Sequence, residues 1–471
     1  MSIIGAFMVP HPPIILPEVG RGEEEKIRPT TEAYRRVAEQ IAALRPDVIL
    51  ISSPHSILYA DYFHISPGRK AAGSMRQFRA GDVRFQVEYD EPLVQRIADL
   101  AEGRGLPAGT LGEKDATLDH GTMIPLYFIR QQTGMDRVPI VRLGLSGLSL
   151  TDHYRYGMCI RDAVEALDRR AVFVASGDLS HKCRAEGPYG FAPEGPEYDR
   201  RIMDVMGRAA FGELLEFDEG FLDRAAECGH RSFVIMAGAL DGRSVEPERL
   251  SHEDTFGVGY GICAYRIAGE DPDRSFLKKR EEQKEREMTD RREREDAWVR
   301  LARLSLEHYV KTGKELPRDA YPKDLPEELT ARRAGAFVSL HKEGQLRGCI
   351  GTIGPTAPCV ADEIVQNAVS AAVRDPRFFP VQIPELPYLE ISVDVLGDTE
   401  PIDSTDQLDV KRYGVIVTCG TRRGLLLPNL DGVDTIEEQV RIAREKGGIR
   451  EGEKGIRYER FEVVRHDPGK E

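Results

Sequence analysis

AVFVASGDLSH, residues 171–181, decides the fold of the first half of the chain. Its opening residues are apolar or small, as a strand buried on both faces requires, and it then spills into Ser176, Asp178, Ser180 and His181. Ligands of α/β folds bind in the crevice beyond the carboxyl ends of the strands, where such a sequence puts its polar residues. Two other stretches end the same way. Ile3–Val9 runs into Pro10, His11 and Pro12, and Val48–Ser53 runs into Pro54, His55 and Ser56. Three histidines are therefore expected along one edge of one sheet.

Outward from this strand, segments of strand and helix character alternate. A helix is expected over 29–44, where Ala33, Val37, Ile41 and Leu44 recur at helical spacing. A polar stretch over 62–89 has room for a hairpin. Helices are expected over 93–104, 152–167 and 231–241, with strands over 139–144 and 260–267. Apolar strands separated by helices imply an α/β domain, a mostly parallel sheet covered on both faces, over residues 1–268. Residues 269–296 are nearly all charged with mixed sign and have no apolar stripe, which reads as a solvated helical linker. Residues 297–471 form a second domain. It is expected to hold a helix over 298–310, a hairpin over 335–341 and 345–353 with its turn at Lys342, Glu343 and Gly344, and a helix over 359–373. A strand over 389–396 and a second hairpin over 414–428 complete an α+β pattern.

At 471 residues, two or three domains are the expectation. A hydrophobic content of 41% supplies ample core, and the formal charge of −14 argues against nucleic acid or an anionic membrane as the main partner. No apolar run approaches the ~20 residues of a membrane span. The N-terminus has neither a basic region nor a small-residue cleavage site, so it reads as mature protein. Seven cysteines, an odd number with no CxxC pair, fit free thiols in a reducing cytoplasm.

A metal site needs two or three ligands whose lone pairs converge, and neutral histidine supplies one without a charge. His11 and His55 sit just past strand ends beside prolines, which fix the backbone. The third ligand comes from Glu227 or Cys228 in AAECGHRS. His120 in LDHGT and His181 remain as imidazoles for proton transfer or for binding an anion or dioxygen, with Asp119 and Asp178 to orient them. His230, two residues beyond Cys228, is expected to face away, and His64, His153 and His252 lack such a context.

PHPP, SPH, DHGT, SGDLSH and ECGHRS, in that order, resemble the class III extradiol dioxygenase (LigB-like) superfamily and its Memo-like branch. The resemblance implies that His11 and His55 hold a non-haem Fe(II), that His181 is the acid–base residue and that His120 lines the substrate pocket. It implies a catecholic substrate and O2. The ring-cleaving enzymes use Glu as third ligand, pointing to Glu227; Memo-like proteins use a Cys followed by Gly, pointing to Cys228. A carboxylate leaves open positions for catecholate and O2, whereas a thiolate favours Zn or Cu(I) and disfavours ring cleavage.

LRGCIGTI (346–353), SAAVRDPRF (370–378) and GLLLPNL (424–430) resemble the AMMECR family. Arg347, Gly348 and Cys349 suggest a turn or bulge where backbone approaches a neighbour closely. Arg347, Cys349 and Arg374 form a possible second site; the alternative keeps Cys349 in the core and pairs Arg374 with Asp375. Memo-like and AMMECR proteins recur together with a radical S-adenosylmethionine protein, so the resemblance implies such a partner in trans.

Overall fold

The strand Ala171–Ser176 lies inside a six-stranded sheet, with every residue buried. In the computed structural model, which describes residues 2–114, 117–342, 344–430, 432–450 and 452–469, the chain divides into two units, Met1–Glu281 and Glu282–Glu471. The first unit runs β1 (Ile3–Val9), α1 (Arg28–Leu44), β2 (Val48–Ser53), β3 (Lys70–Met75), β4 (Ala80–Glu88), α2 (Glu91–Gly103) and α3 (His120–Ile129). It continues with β5 (Ile140–Gly144), α4 (Leu150–Ala166), β6 (Ala171–Ser176), α5 (Glu194–Gly207), α6 (Glu219–Ala225), α7 (His230–Ala239), β7 (Arg243–Glu253) and β8 (Tyr260–Glu270).

The sheet order is β5-β2-β6-β1-β8-β7. The first four strands are parallel, while β8 and β7 close one edge antiparallel. Alternate residues of β6 explain why the sheet must be covered twice. Ala171, Phe173 and Ala175 enter one core with apolar residues of α2, α4, α5 and α7, and Val172 and Val174 enter the other with those of α1 and α3. A period-2 strand with both faces apolar is stable only between two helical layers. The polar stretch after β2 holds the β3–β4 hairpin. Helix α3 and strand β7 carry no clear sequence signal, whereas α5 does, in Tyr198, Ile202, Val205 and Met206 at helical spacing, and is absent from the expectations above; α3 even contains Pro125, and its start is set by Asp119, which caps the Thr122 N–H.

Helix Phe276–Glu293 is the charged stretch. Its ends are not simply solvated. Leu277 is buried in the core of the first unit, while in the second Arg291 meets Asp467 at 2.8 Å and Arg292 donates to the Leu386 carbonyl at 2.9 Å.

The second unit is α+β. It carries two four-stranded sheets whose named pairings are all antiparallel. Helices Ala297–Thr312 and Val360–Val373 pack on the sheet that contains the first expected hairpin, Ala336–Lys342 with Gln345–Gly351. Glu343 of its turn lies outside the described residues. The register of this hairpin skips Arg347, so the bulge expected there exists, and a Cβ on Gly348 would fall 2.2 Å from the Ala371 carbonyl oxygen. Among the described residues no helix is long and apolar enough to cross a membrane.

His153 of α4 is buried between the Ser149 carbonyl, 2.9 Å from Nδ1, and the Ser146 N–H, 3.3 Å from Nε2. Burial pushes its pKa down to about 4. The unfolded chain, with histidine near 6.5, therefore binds this proton more readily than the folded one. Stability contributed by neutral His153 is full above about pH 6.5 and falls as pH drops toward 4. Thermal unfolding of the whole chain is expected to show this acid-side loss, and His153→Gln should flatten it; an unchanged slope in the variant would contradict the assignment.

Candidate metal centre

The parallel pairing of β1 with β6 sets Val9 beside Ser176, so the residues just beyond both strands meet. His11 follows on one strand and Asp178 on the other, and the His11 N–H donates to Asp178 Oδ1 at 2.6 Å. Strand β2 pairs with the other side of β6 and delivers His55 to the same edge. Asp119 ties the third element in. It accepts from Ser53 Oγ at 2.6 Å, and the same hydroxyl takes the His55 N–H at 3.2 Å, so β2 and the start of α3 are fixed together. His120, the first residue of α3, then enters the cluster.

The result is three convergent imidazoles. The ligating atoms of His11, His55 and His120 all lie within 4.8 Å of one another. His11 Nε2 and His55 Nε2 are 3.0 Å apart, and the His55 and His120 rings are 4.1 Å apart between centroids. Cys228 Sγ lies 3.6 Å from His11 Nε2. Glu227 is placed differently: its carboxylate is spent on the start of α7, where Oε2 accepts the His230 N–H at 2.5 Å. Burial pushes that carboxyl up to about 7. Of the two residues proposed as third ligand, the thiol adjoins the histidines and the carboxylate caps a helix.

Proton positions follow from the hydrogen bonds. Ser176 Oγ donates its single proton to the Gly121 carbonyl at 2.6 Å, so it can only accept from His11 Nδ1, 2.9 Å away. His11 is thereby the Nδ1–H tautomer, with its Nε2 lone pair turned to the cluster. His181 Nδ1 donates to the Ala226 carbonyl at 2.6 Å, leaving Nε2 free, and Tyr189 packs edge-on against its ring at 5.1 Å. Ala226 holds φ 53°, an uncommon left-handed backbone for a residue with a Cβ, at the turn that presents Glu227 and Cys228.

Electrostatics suit a cation. Burial first, then neighbouring histidines, holds His11 well below its ordinary pKa and puts His120 at about 4; burial also lowers His55. All three rings therefore offer neutral lone pairs at neutral pH. Burial pushes the Cys228 thiol well up, so a nearby cation is what would draw off its proton. The donor set, imidazoles with a thiol, is that of Fe, Zn or Cu sites, and the 3.0 Å between His11 Nε2 and His55 Nε2 is close enough for both to hold one ion. The residues fit a bound transition metal. Beside His55 and His120 a cleft of about 1190 Å3 opens, lined also by Asp119, Met123 and Arg142.

The second-unit trio is not brought together as expected. Arg347 is bound by Glu385 through contacts of 2.9 and 3.0 Å, and exposed Arg374 faces Glu315 at 3.8 Å. Asp375 pairs with Arg377 rather than Arg374, which holds its carboxyl down at about 2. Cys349 receives the Ser339 hydroxyl proton at 3.2 Å and donates its N–H to Asp375.

Several contributors escape sequence reasoning. Phe78, from the turn between β3 and β4, meets the His120 ring at 5.3 Å, and nothing local marks it. Gly177 and Gly229 touch backbone to backbone, since a Cβ on Gly177 would fall 2.1 Å from Gly229 Cα. That contact lets the Cys228 loop reach His11. Asp178 and Asp119 brace His11 and α3 rather than hydrogen-bonding His181 and His120.

Removing the Ser176 hydroxyl should free the His11 tautomer without opening the core. Ser176→Ala is expected to keep its circular dichroism and to bind metal about 10–100-fold more weakly in a chelator competition. Wild-type affinity would contradict the tautomer argument.

The model for the catalytic LigB subunit of aromatic ring-opening dioxygenase matches residues 5–263, and the AMMECR1 model matches residues 299–466. A Clostridium acetobutylicum protein is 41% identical over 473 residues, covering 99% of each chain. A Thermotoga maritima protein is 51% identical over 173 residues, 36% of this chain and 98% of its own. Among solved structures, an uncharacterized Pyrococcus horikoshii protein is similar at 32% identity over 38% of this chain and 95% of its own, with a TM-score of 0.35. An Escherichia coli K12 protein is similar at 15% identity over 55% and 99%, with a TM-score of 0.36. The chain belongs to the LigB family, its LigB domain being followed by an AMMECR1 domain.

Proposed function

We propose that the LigB domain is a metal-dependent oxidoreductase centre, held by His11, His55 and Cys228, with iron the first metal to test and Zn or Cu the alternatives. The observation that carries this is the convergence of neutral imidazoles with the Cys228 thiol 3.6 Å from His11 Nε2. Bound iron supplies Lewis acidity and one-electron redox capacity for a chelating, catechol-like substrate and O2. His181 Nε2 is the acid–base atom, because Nδ1 is committed to Ala226. His120 lines the adjoining cleft beside His55 and orients what enters it.

Ring cleavage at a two-histidine, one-carboxylate site is the less favoured reading, because Glu227 is engaged by His230. The thiol supports instead a redox step within a multi-protein modification pathway. The union with an AMMECR1 domain accords with a radical S-adenosylmethionine enzyme acting in trans, a reading from association alone.

His181→Ala tests the proton-transfer role. Iron-loaded protein is assayed for oxygen consumption with catechol and with 3,4-dihydroxybenzoate. The variant is expected to keep its iron and lose turnover ~10²–10⁴-fold. Equal turnover would remove His181 from the mechanism; oxygen uptake absent from wild type with both compounds would count against a catecholic substrate.

A further inference from the structure

The β3–β4 hairpin is more than cover for the cleft. Its turn places Phe78 edge-on against His120, and its residues Arg76 and Arg84 line the same cleft as His55 and His120. Among the described residues, neither guanidinium has a carboxylate within ion-pair distance. Arg84 Nε makes a single bond of 3.2 Å to the Gly81 carbonyl. Arg142, the third cationic lining residue, is different in kind: it is buried and committed to Ser66, Thr117 and Asp119. Among the described residues, the opposing lining charges are Asp119, already engaged by Ser53 and Thr122, and exposed Asp82 on the hairpin itself. The uncommitted charge of these described lining residues is thus net positive, and it is concentrated on one element.

Size points the same way. A volume of about 1190 Å3 exceeds the ~300–1,000 Å3 typical of small-molecule sites, and one aromatic ring would fill a small part of it. Arginine at an exposed rim is the residue of choice for binding carboxylate or phosphate oxygens in pairs.

We infer that the β3–β4 hairpin is the specificity element of this site, and that Arg76 and Arg84 select a ligand longer than one ring whose tail carries a carboxylate or phosphate. The inference rests on the proposed metal-site reading for the ligand's other end, and on the cleft alone for its tail. Phe78, two residues after Arg76 on the same hairpin, packs against His120, so the element that would hold the tail also touches that imidazole.

Anaerobic calorimetry on the iron-loaded full chain decides it, using the matched pair 3-(3,4-dihydroxyphenyl)propionate and 4-propylcatechol. Wild type is expected to bind the carboxylate compound at least about tenfold more tightly. The double variant Arg76→Gln, Arg84→Gln removes two exposed side chains without core contacts, and should lose that preference while binding 4-propylcatechol as wild type does. Raising the salt concentration should shrink the wild-type preference as well. Equal binding of the two compounds by wild type, or a preference kept by the double variant, overturns the inference. If neither compound binds iron-loaded protein, the metal-site reading fails separately, and the tail claim is read on metal-free chain. There, 3-phenylpropionate or phenethyl phosphate bound by wild type and lost in the double variant supports the claim and tells carboxylate from phosphate. No difference between wild type and variant for either overturns it.

Discussion

The parallel pairing of β1 with β6 is the constraint on which the histidine cluster depends. With Val9 beside Ser176, the serine hydroxyl reaches His11 Nδ1 and the Asp178 carboxylate reaches the His11 N–H. A one-residue slip of β6 against β1 would move the side chains of β6 to the wrong cores and carry the serine to the opposite face. The apolar alternation of β6 therefore helps to specify the tautomer of His11, together with the Gly121 carbonyl at the start of α3 that takes the serine proton. Packing and chemistry are set by the same register.

Around that fixed point, each polar group is balanced against burial. Burial keeps the imidazoles neutral, which suits ligands, and keeps Cys228 a thiol until a cation is near. Asp178 is buried too. Burial raises its carboxyl, while His181 and the His11 N–H favour its charged form. Glu227 and Cys228 are neighbours in sequence with opposite fates: α7 needs an acceptor at its first N–H, and the carboxylate satisfies it, which leaves the thiol to face His11.

The sheet and the three strand-end histidines were legible because buried parallel strands read as short apolar runs that end in polar residues. His120 was read as a pocket residue, but its entry into the cluster depends on where α3 starts, and α3 hides behind a buried, nearly all-apolar sequence with an internal proline. Phe78 was not legible at all, because its meeting with His120 is a tertiary contact between a hairpin turn and a helix start. In the second unit, the Arg347 bulge followed from Gly348, whose missing Cβ admits the Ala371 carbonyl. The partners of Arg347 and Arg374 did not follow, since long cationic side chains take whichever carboxylate the fold brings near, here Glu385 and Glu315.

Metal content of anaerobically prepared protein, by elemental analysis with an iron absorption spectrum, tests the central claim most directly. Three forms are compared: wild type, Cys228→Ala and Glu227→Gln, the last keeping an acceptor for His230. Metal retained by wild type and Glu227→Gln and lost from Cys228→Ala is the result predicted here. Metal retained by Cys228→Ala and lost from Glu227→Gln would contradict it and restore the carboxylate site of a ring-cleaving dioxygenase.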